Sequence, residues 1–315
     1  MSGFLQEHTS EWLEYLSSHG YPVVKPLAAG VEGAIYRLGD GTVAKVWGHK
    51  RQPELLRIQQ FYADVARADL SFVTPEILRV EVINGLAVTF ERELSGAPLQ
   101  KRLAFEDRDL DEATIECVVD VLRALSTVLG TDAMKQMPVL DEDRPFWEGK
   151  DNFPAALIAL LERRVARFGD LLRQHVPDFD RRYARVVERL AALDRVPPTV
   201  VHGDLFAENI LVDGDVRARA VLDFGFLSTA GDPRLDASIT AVIMNMYGPH
   251  APKIAETLTT RFAAELNYPV EVLLIYRAAY AIATSNAFTT DGSDGHFPWC
   301  VAQLRGPAVT DALGL

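Results

Sequence analysis

Apolar positions along the chain change period three times, and those changes divide it into segments. Residues 4–19 carry Leu5, Trp12, Leu13 and Leu16 at helical spacing, and Gly20 follows as a stop. From Val23 the period shortens. Strand-like runs are expected at Val23–Leu27, Ala34–Leu38, Val43–Trp47, Ile77–Val82 and Leu86–Phe90, with turn signals at Gly39-Asp40-Gly41 and Asn84-Gly85. One helical segment, Pro53–Ala68, interrupts them. This pattern predicts a small antiparallel sheet carrying a single helix.

Ser95-Gly96-Ala97-Pro98 breaks the pattern, and beyond it helical stripes dominate. Ile115, Val118, Val119, Leu122, Leu125 and Leu129 form one stripe, and Leu157, Leu161, Val165, Phe168 and Leu172 form another. Tyr183 to Leu193 and Val272 to Ala283 continue the series. Strand character returns only between Val200 and Leu222, where Asp213-Gly214 is a hairpin turn signal. The fold class is therefore α+β and bilobal: an N-terminal lobe at 1–94 and a larger, mainly helical lobe at 95–315.

Composition narrows the function classes. The chain has 315 residues, 48% hydrophobic and 24% charged, as in globular proteins. No apolar run approaches the ~18 residues that would span a bilayer. The first residues lack the basic and apolar regions of a signal peptide, so a cytoplasmic enzyme with no membrane partner is expected. The two cysteines, Cys117 and Cys300, show no metal-site spacing. Net charge is −12, which argues against nucleic acid as a partner. Residues 95–315 carry 23 basic and 32 acidic residues, a balance that suits a cationic ligand or simply a solvated acidic surface.

The chemistry concentrates in Val201-His202-Gly203-Asp204-Leu205-Phe206-Ala207-Glu208-Asn209-Ile210-Leu211-Val212 and in Ala220-Val221-Leu222-Asp223-Phe224-Gly225. Asp204 and Asn209 lie on a loop between strands, and a hairpin would return Asp223 beside Asn209. Phosphoryl transfer needs hard-oxygen ligands for magnesium and a group that aims the attacking hydroxyl. Asp223 and the carbonyl of Asn209 suit the metal, and Asp204 suits the hydroxyl and its proton.

These two segments resemble the catalytic and metal loops of the aminoglycoside phosphotransferase family, relatives of the protein kinases. The His-Gly-Asp form, in place of His-Arg-Asp, is similar to that family. The resemblance spans about residues 20–290 and implies a protein-kinase-like fold, Asp204 as catalytic base, and Asn209 and Asp223 as magnesium ligands. It implies a bracing role for His202. Gly231-Asp232-Pro233-Arg234-Leu235-Asp236 also resembles the family, with Asp236 capping the loop backbone from a helix start. The short interval between Gly225 and that helix leaves no room for the activation segment of a protein kinase, which favours a small acceptor.

In the small lobe, Val43-Ala44-Lys45-Val46 resembles the strand that carries a phosphate-binding lysine. Glu54, at the start of the helix, is its expected partner, or else a favourable charge at a helix N-terminus. Gly30 and Gly33 occupy the place of the phosphate-covering loop but depart from the Gly-x-Gly-x-x-Gly form. Phe90-Glu91-Arg92-Glu93-Leu94-Ser95-Gly96 resembles a hinge, placing the carbonyl of Arg92 and the amide of Leu94 on the purine of ATP or GTP.

For the acceptor, two stretches stand out: Arg144–Asp151 and the Gly-rich Asp291–Trp299, where Asp291 and Asp294 are candidate contacts. The reading is an ATP- and Mg2+-dependent O-phosphotransferase acting on a small hydroxyl acceptor. A cationic antibiotic such as an aminoglycoside is one acceptor class. Metabolic acceptors such as choline, homoserine, methylthioribose or a sugar are the alternative. A pseudokinase is disfavoured because Lys45, Asp204, Asn209 and Asp223 are all present.

Overall fold

The structure is a computed structural model, and it describes residues 9–21, 24–29, 33–103 and 109–315. Gly30, Leu5 and Val23 lie outside the described residues. Two compact units are formed, Met1–Gly96 with Arg219–Leu222, and Ala97–Ala218 with Asp223–Leu315.

The first unit is built on a five-stranded sheet in the order β1-β2-β3-β5-β4: Val24–Ala29, Gly33–Leu38, Thr42–Trp47, Leu86–Arg92 and Ile77–Ile83. All neighbours are antiparallel. Alternation explains the faces. Ala34, Tyr36, Leu38, Ala44, Val46, Val88 and Phe90 point to one side, where Trp12 and Leu16 of helix α1 (Thr9–Ser18) complete an apolar cluster. Lys45, Trp47 and Thr89 point the other way, and Trp47 Nε1 donates to Thr89 Oγ1 at 2.9 Å. Helix α2 (Gln52–Val65) begins with proline at its first turn and docks on β4, where Gln59 Nε2 donates to the Ile77 carbonyl at 2.8 Å. Val73 pairs with Ala220 in the same unit.

The second unit is mainly helical. Strand β6 (Ala97–Pro98) pairs with β8 (Ile210–Val212). The turn after β8 closes through Asp213 N–H to the Arg217 carbonyl at 3.1 Å, before β9 (Ala218–Val221). Helices α3 (Glu112–Leu125), α4 (Asp132–Lys135), α5 (Phe153–His175) and α6 (Phe179–Ala191) precede β7 (Thr199–Val201). After β10 (Thr229–Gly231) come α7 (Pro233–Ile243), α8 (Ala251–Leu266), α9 (Val270–Thr284), α10 (His296–Arg305) and α11 (Pro307–Leu313). Helix α9 is apolar around most of its circumference, and Leu273 to Thr284 are buried apart from Arg277. A helix of that composition belongs at a centre, and α9 packs against α5, α6, α7, α8, α10 and α11.

Three expectations change. The Ile115 stripe ends at Leu125, where the Ser126 N–H closes on the Leu122 carbonyl. Leu129 lies beyond the helix, 70% exposed, bridging Thr199. The stretch Arg144–Asp151 is not an open acceptor wall at its centre, because Phe146 and Trp147 are core residues. Trp147 Nε1 donates to the Ala230 carbonyl at 2.7 Å. The Asp291–Trp299 stretch is only half a loop, since α10 starts at His296.

Gly33 is fixed by a close approach between strands. A Cβ there would run into the Val46 carbonyl, which is backbone and cannot step aside. Gly33→Ala should therefore lower the stability of this unit by about 1–3 kcal/mol, the usual cost of overpacking. Urea denaturation followed by circular dichroism measures it.

Candidate active site

The loop after β7 is held from below by one carboxylate. Asp236, in the first turn of α7, accepts the His202 N–H and the Gly203 N–H, each at 2.7 Å and each on its own oxygen. Asp236 is 3% exposed, and burial pushes its carboxyl up to about 6, against the pull of those two N–H groups. Gly203 has φ +78°, and a Cβ there would lie 2.5 Å from that of Leu227. Only glycine fits that turn.

The turn continues through backbone bonds. Phe206 N–H donates to the Asp204 carbonyl at 3.1 Å, and Asn209 N–H donates to the Phe206 carbonyl at 3.0 Å. Asn209 Nδ2 also donates to the Asp204 carbonyl, at 2.9 Å. This commits the amide nitrogen of a buried side chain and assigns its Oδ1 as the remaining acceptor. Asp204 itself is half-buried.

His202 is fully buried, and its Nδ1 accepts the Asp204 N–H at 3.2 Å. A backbone N–H can only donate, so Nδ1 carries no proton here. The ring braces the loop through this bond and lies 4.3 Å from the Phe224 ring, centroid to centroid. Phe224 in turn brings its neighbour Asp223 to the loop. Asp223 is exposed and has φ +52°, a left-handed conformation unusual outside glycine.

The segment after Asp223 is tied to the same loop. Ser228 Oγ donates to the His202 carbonyl at 2.5 Å. Strand β10 pairs antiparallel with β7, Thr229 against Val201. Asp232 caps α7, accepting Arg234 N–H at 2.9 Å, and also takes the Tyr276 hydroxyl at 2.7 Å. The loop of Asp204 and Asn209 and the segment of Asp223 thus form one hydrogen-bonded body within the helical unit.

The remaining predicted residues sit as follows. Lys45 places its ammonium 3.9 Å from the centre of the Trp47 ring. Glu54 serves its own helix end, where Oε2 accepts the Arg51 N–H at 2.8 Å in a capping box. Arg92 N–H is used by the Glu76 carbonyl at 3.0 Å, and the Glu93 N–H by Gly41 at 2.9 Å; Leu94 follows directly. Asp294 caps α10, accepting the His296 and Phe297 N–H groups at 2.8 and 2.9 Å and the Thr289 hydroxyl at 2.6 Å. Asp291 is exposed and accepts the Ser293 N–H at 3.0 Å, an Asx-type turn. It borders a groove of about 710 Å3 with His175, Phe297 and Arg305.

His296 and Trp299 of the Asp291–Trp299 stretch belong to an aromatic group in the same unit, joined by Phe226, Tyr280 and Phe288, which no sequence pattern had connected to them. Phe226, three residues beyond Asp223, stacks on Phe288 at 5.8 Å, and Phe288 meets His296 edge-on at 5.1 Å. Trp299 stacks on His296, and Tyr280 stands edge-on to both. Burial raises the Tyr280 hydroxyl well above its ordinary value, and the charge of Asp204 adds to that. Phe288 and Tyr247 are 65% and 63% exposed.

The family model described as the phosphotransferase enzyme family matches residues 11–270, and the chain belongs to that family. Its fold is the protein-kinase-like fold of the aminoglycoside phosphotransferases. Similar solved structures include macrolide 2'-phosphotransferase MphH from Brachybacterium faecium, at 18% identity over 96% of this chain and 99% of that one, with a TM-score of 0.54. Aminoglycoside phosphotransferase APH(3'')-Id from Streptomyces rimosus is also 18% identical, over 88% and 98%, with a TM-score of 0.54. The GDP and kanamycin complex of APH(2")-IIia is 14% identical over 95% and 97%, with a TM-score of 0.65. No curated protein matches the chain. Among the described residues no helix is long and apolar enough to cross a membrane.

The Asp236 carboxyl gives a pH prediction. Its folded pKa, about 6, lies above its ordinary value of 3.8. The folded state therefore holds this proton more tightly, and the group's contribution to stability is full below about 3.8 and lost as pH rises through about 6. Wild type should accordingly exceed Asp236→Asn in stability by more at pH ~4 than at pH ~7. Thermal unfolding of both proteins across that range reads the difference. The asparagine also turns an N–H2 toward a backbone donor, so the variant should be less stable at every pH, by about 1–3 kcal/mol, the cost of leaving one buried donor unmatched.

Proposed function

We propose that this phosphotransferase moves the γ-phosphate of ATP, or GTP, onto a hydroxyl of a small molecule with Mg2+ as cofactor. The observation that carries the reading is the clamped loop, which holds Asp204 beside an Asn209 whose oxygen is left as an acceptor.

The residues present fit a magnesium ion. Asn209 Oδ1 and the Asp223 carboxylate are hard-oxygen donors, and Mg2+ takes one or two such protein groups together with phosphate oxygens and water. Bound there, the ion would neutralise charge on the transferring phosphates. Asp204 receives the acceptor hydroxyl, aims it in line at the γ-phosphorus and takes its proton. One O–P bond forms while the bond to the bridging oxygen of the leaving nucleoside diphosphate breaks. His202 keeps the loop in place, its Nδ1 being occupied as acceptor of the Asp204 N–H.

In the small unit, Lys45 is proposed to meet the phosphates. Glu54 becomes its partner only by directing a carboxylate oxygen beyond its own capping box. Gly33, and Gly30 outside the described residues, are proposed to border the phosphates. The Arg92 carbonyl and the Leu94 amide are proposed to read the purine edge.

For the acceptor, the charge of the helical unit suits a cation such as an aminoglycoside, but Asp291 and Asp294 are used by a turn and a helix cap. The exposed rings of Phe288 and Tyr247 favour an acceptor that also has an apolar or sugar face, since such faces stack on aromatic rings. Macrolide-type antibiotics and metabolic sugars therefore join aminoglycosides as candidates.

The test is a panel of macrolides, aminoglycosides, choline and sugars with ATP and Mg2+, following ADP release, with Asp204→Ala as the blank. Asp204→Ala should lower kcat by about 10²–10⁴. A variant turning over at the wild-type rate would remove Asp204 from the mechanism. Asp223→Ala should raise the Mg2+ concentration needed for half-maximal rate. If its Mg2+ dependence is unchanged, the metal assignment fails. Phe288→Ala should raise the acceptor KM about 2–10-fold, with the ATP KM unmoved, the range expected for one lost stacking contact.

A further inference from the structure

The flank of the helical unit holds a cavity of about 790 Å3, walled by Val242, Met246, Ala255, Leu274 and Val309 and reaching Trp299. Its lining is apolar except at a few points, and one of these is a cation. Arg277, on α9, is a half-buried residue that borders the cavity. Among the described residues its one hydrogen-bond partner is the Thr259 hydroxyl, which accepts from Nη2 at 2.6 Å. Thr259 donates its own O–H to the Ala255 carbonyl at 2.6 Å. Nε is buried with no partner.

Among the described residues no carboxylate pairs with this charge. Burial alone pulls the guanidinium down, to about 10, with no acidic group among the causes. The carboxylate that does border the cavity, Glu256, is 73% exposed and lies 3.8 Å from Lys253. A guanidinium usually leaves water only against a paired anion. Here the protein supplies a hydroxyl and a volume of the size that holds small ligands.

We propose that this cavity is a binding site for an amphipathic monocarboxylate, its carboxylate on Arg277 and its apolar chain along Val242, Met246 and Leu274. The anion completes the donors that Thr259 leaves, and the chain displaces water from the apolar walls. None of Asp204, Asn209 or Asp223 borders the cavity, although Tyr247 and Trp299, rings of the proposed acceptor side, lie at its rim.

Dodecanoate below its micelle threshold is the probe, titrated into the full-length protein by calorimetry beside dodecanol and acetate. Dodecanoate should bind, acetate should not, and Arg277→Gln should weaken dodecanoate about 10–100-fold, as for loss of a charge-assisted contact. Dodecanol affinity should change less than about twofold in that variant, since it lacks the charge. Ala302→Trp, at the cavity wall, leaves the guanidinium in place and narrows the cavity, and should weaken dodecanoate binding at least about tenfold even if Arg277→Gln fails to fold. ATP affinity should stay at the wild-type value in both. Absence of dodecanoate binding to wild type, or equal binding by Arg277→Gln or Ala302→Trp, would falsify the site.

Discussion

The loop that carries Asp204 and Asn209 depends on the buried carboxylate of Asp236. Two successive backbone N–H groups, of His202 and Gly203, end on its two oxygens, so the chain direction at Asp204 is set by a group that cannot itself move. Charge-assisted bonds of this kind are each worth about 1.5–3 kcal/mol when broken. Burial resists the charge, and α7 is what keeps it there: Asp232 caps that helix and is itself held by Tyr276 of the central helix α9. The geometry of this loop is thus traceable, bond by bond, to the core.

Much of this was legible in the sequence, and the reasons are specific. Alternation of Ala34, Tyr36, Ala44, Val46 and Val88 identified the sheet, because one buried face forces a period of two. The spacing of Asp204, Asn209 and Asp223 marked the loop, because few other chemistries need those groups in that order. Less was visible where side chains have two possible uses. Asp294 looked like a ligand contact because a carboxylate in a Gly-rich loop has no local signature, yet it caps a helix that only the structure reveals. Trp147 looked like a pocket wall, but its indole N–H finds a backbone carbonyl in the core. Leu129 continued a helical stripe by spacing alone, beyond the point where the backbone bonds end.

The aromatic group around His296 belongs to a third category. Its members come from four separate stretches, Phe226, Tyr280, Phe288 and His296 with Trp299, and no local pattern joins them. His296 is held neutral by burial, which pulls its pKa down to about 4 against the charge of Asp294. These rings, together with carboxylates committed to caps and turns, make a region of low local charge inside a chain of net charge −12. Under the proposed function, that contrast favours an acceptor bound by stacking over one drawn by charge alone.

Direct transfer to a hydroxyl held by Asp204 has a stereochemical signature. The measurement is transfer from ATP made chiral at its γ-phosphorus with oxygen isotopes, using the acceptor that turns over fastest, and analysis of the product configuration. A single in-line displacement within this clamped loop predicts inversion at phosphorus. Retention would mean two displacements through a phosphorylated enzyme group, and would contradict the role given to Asp204.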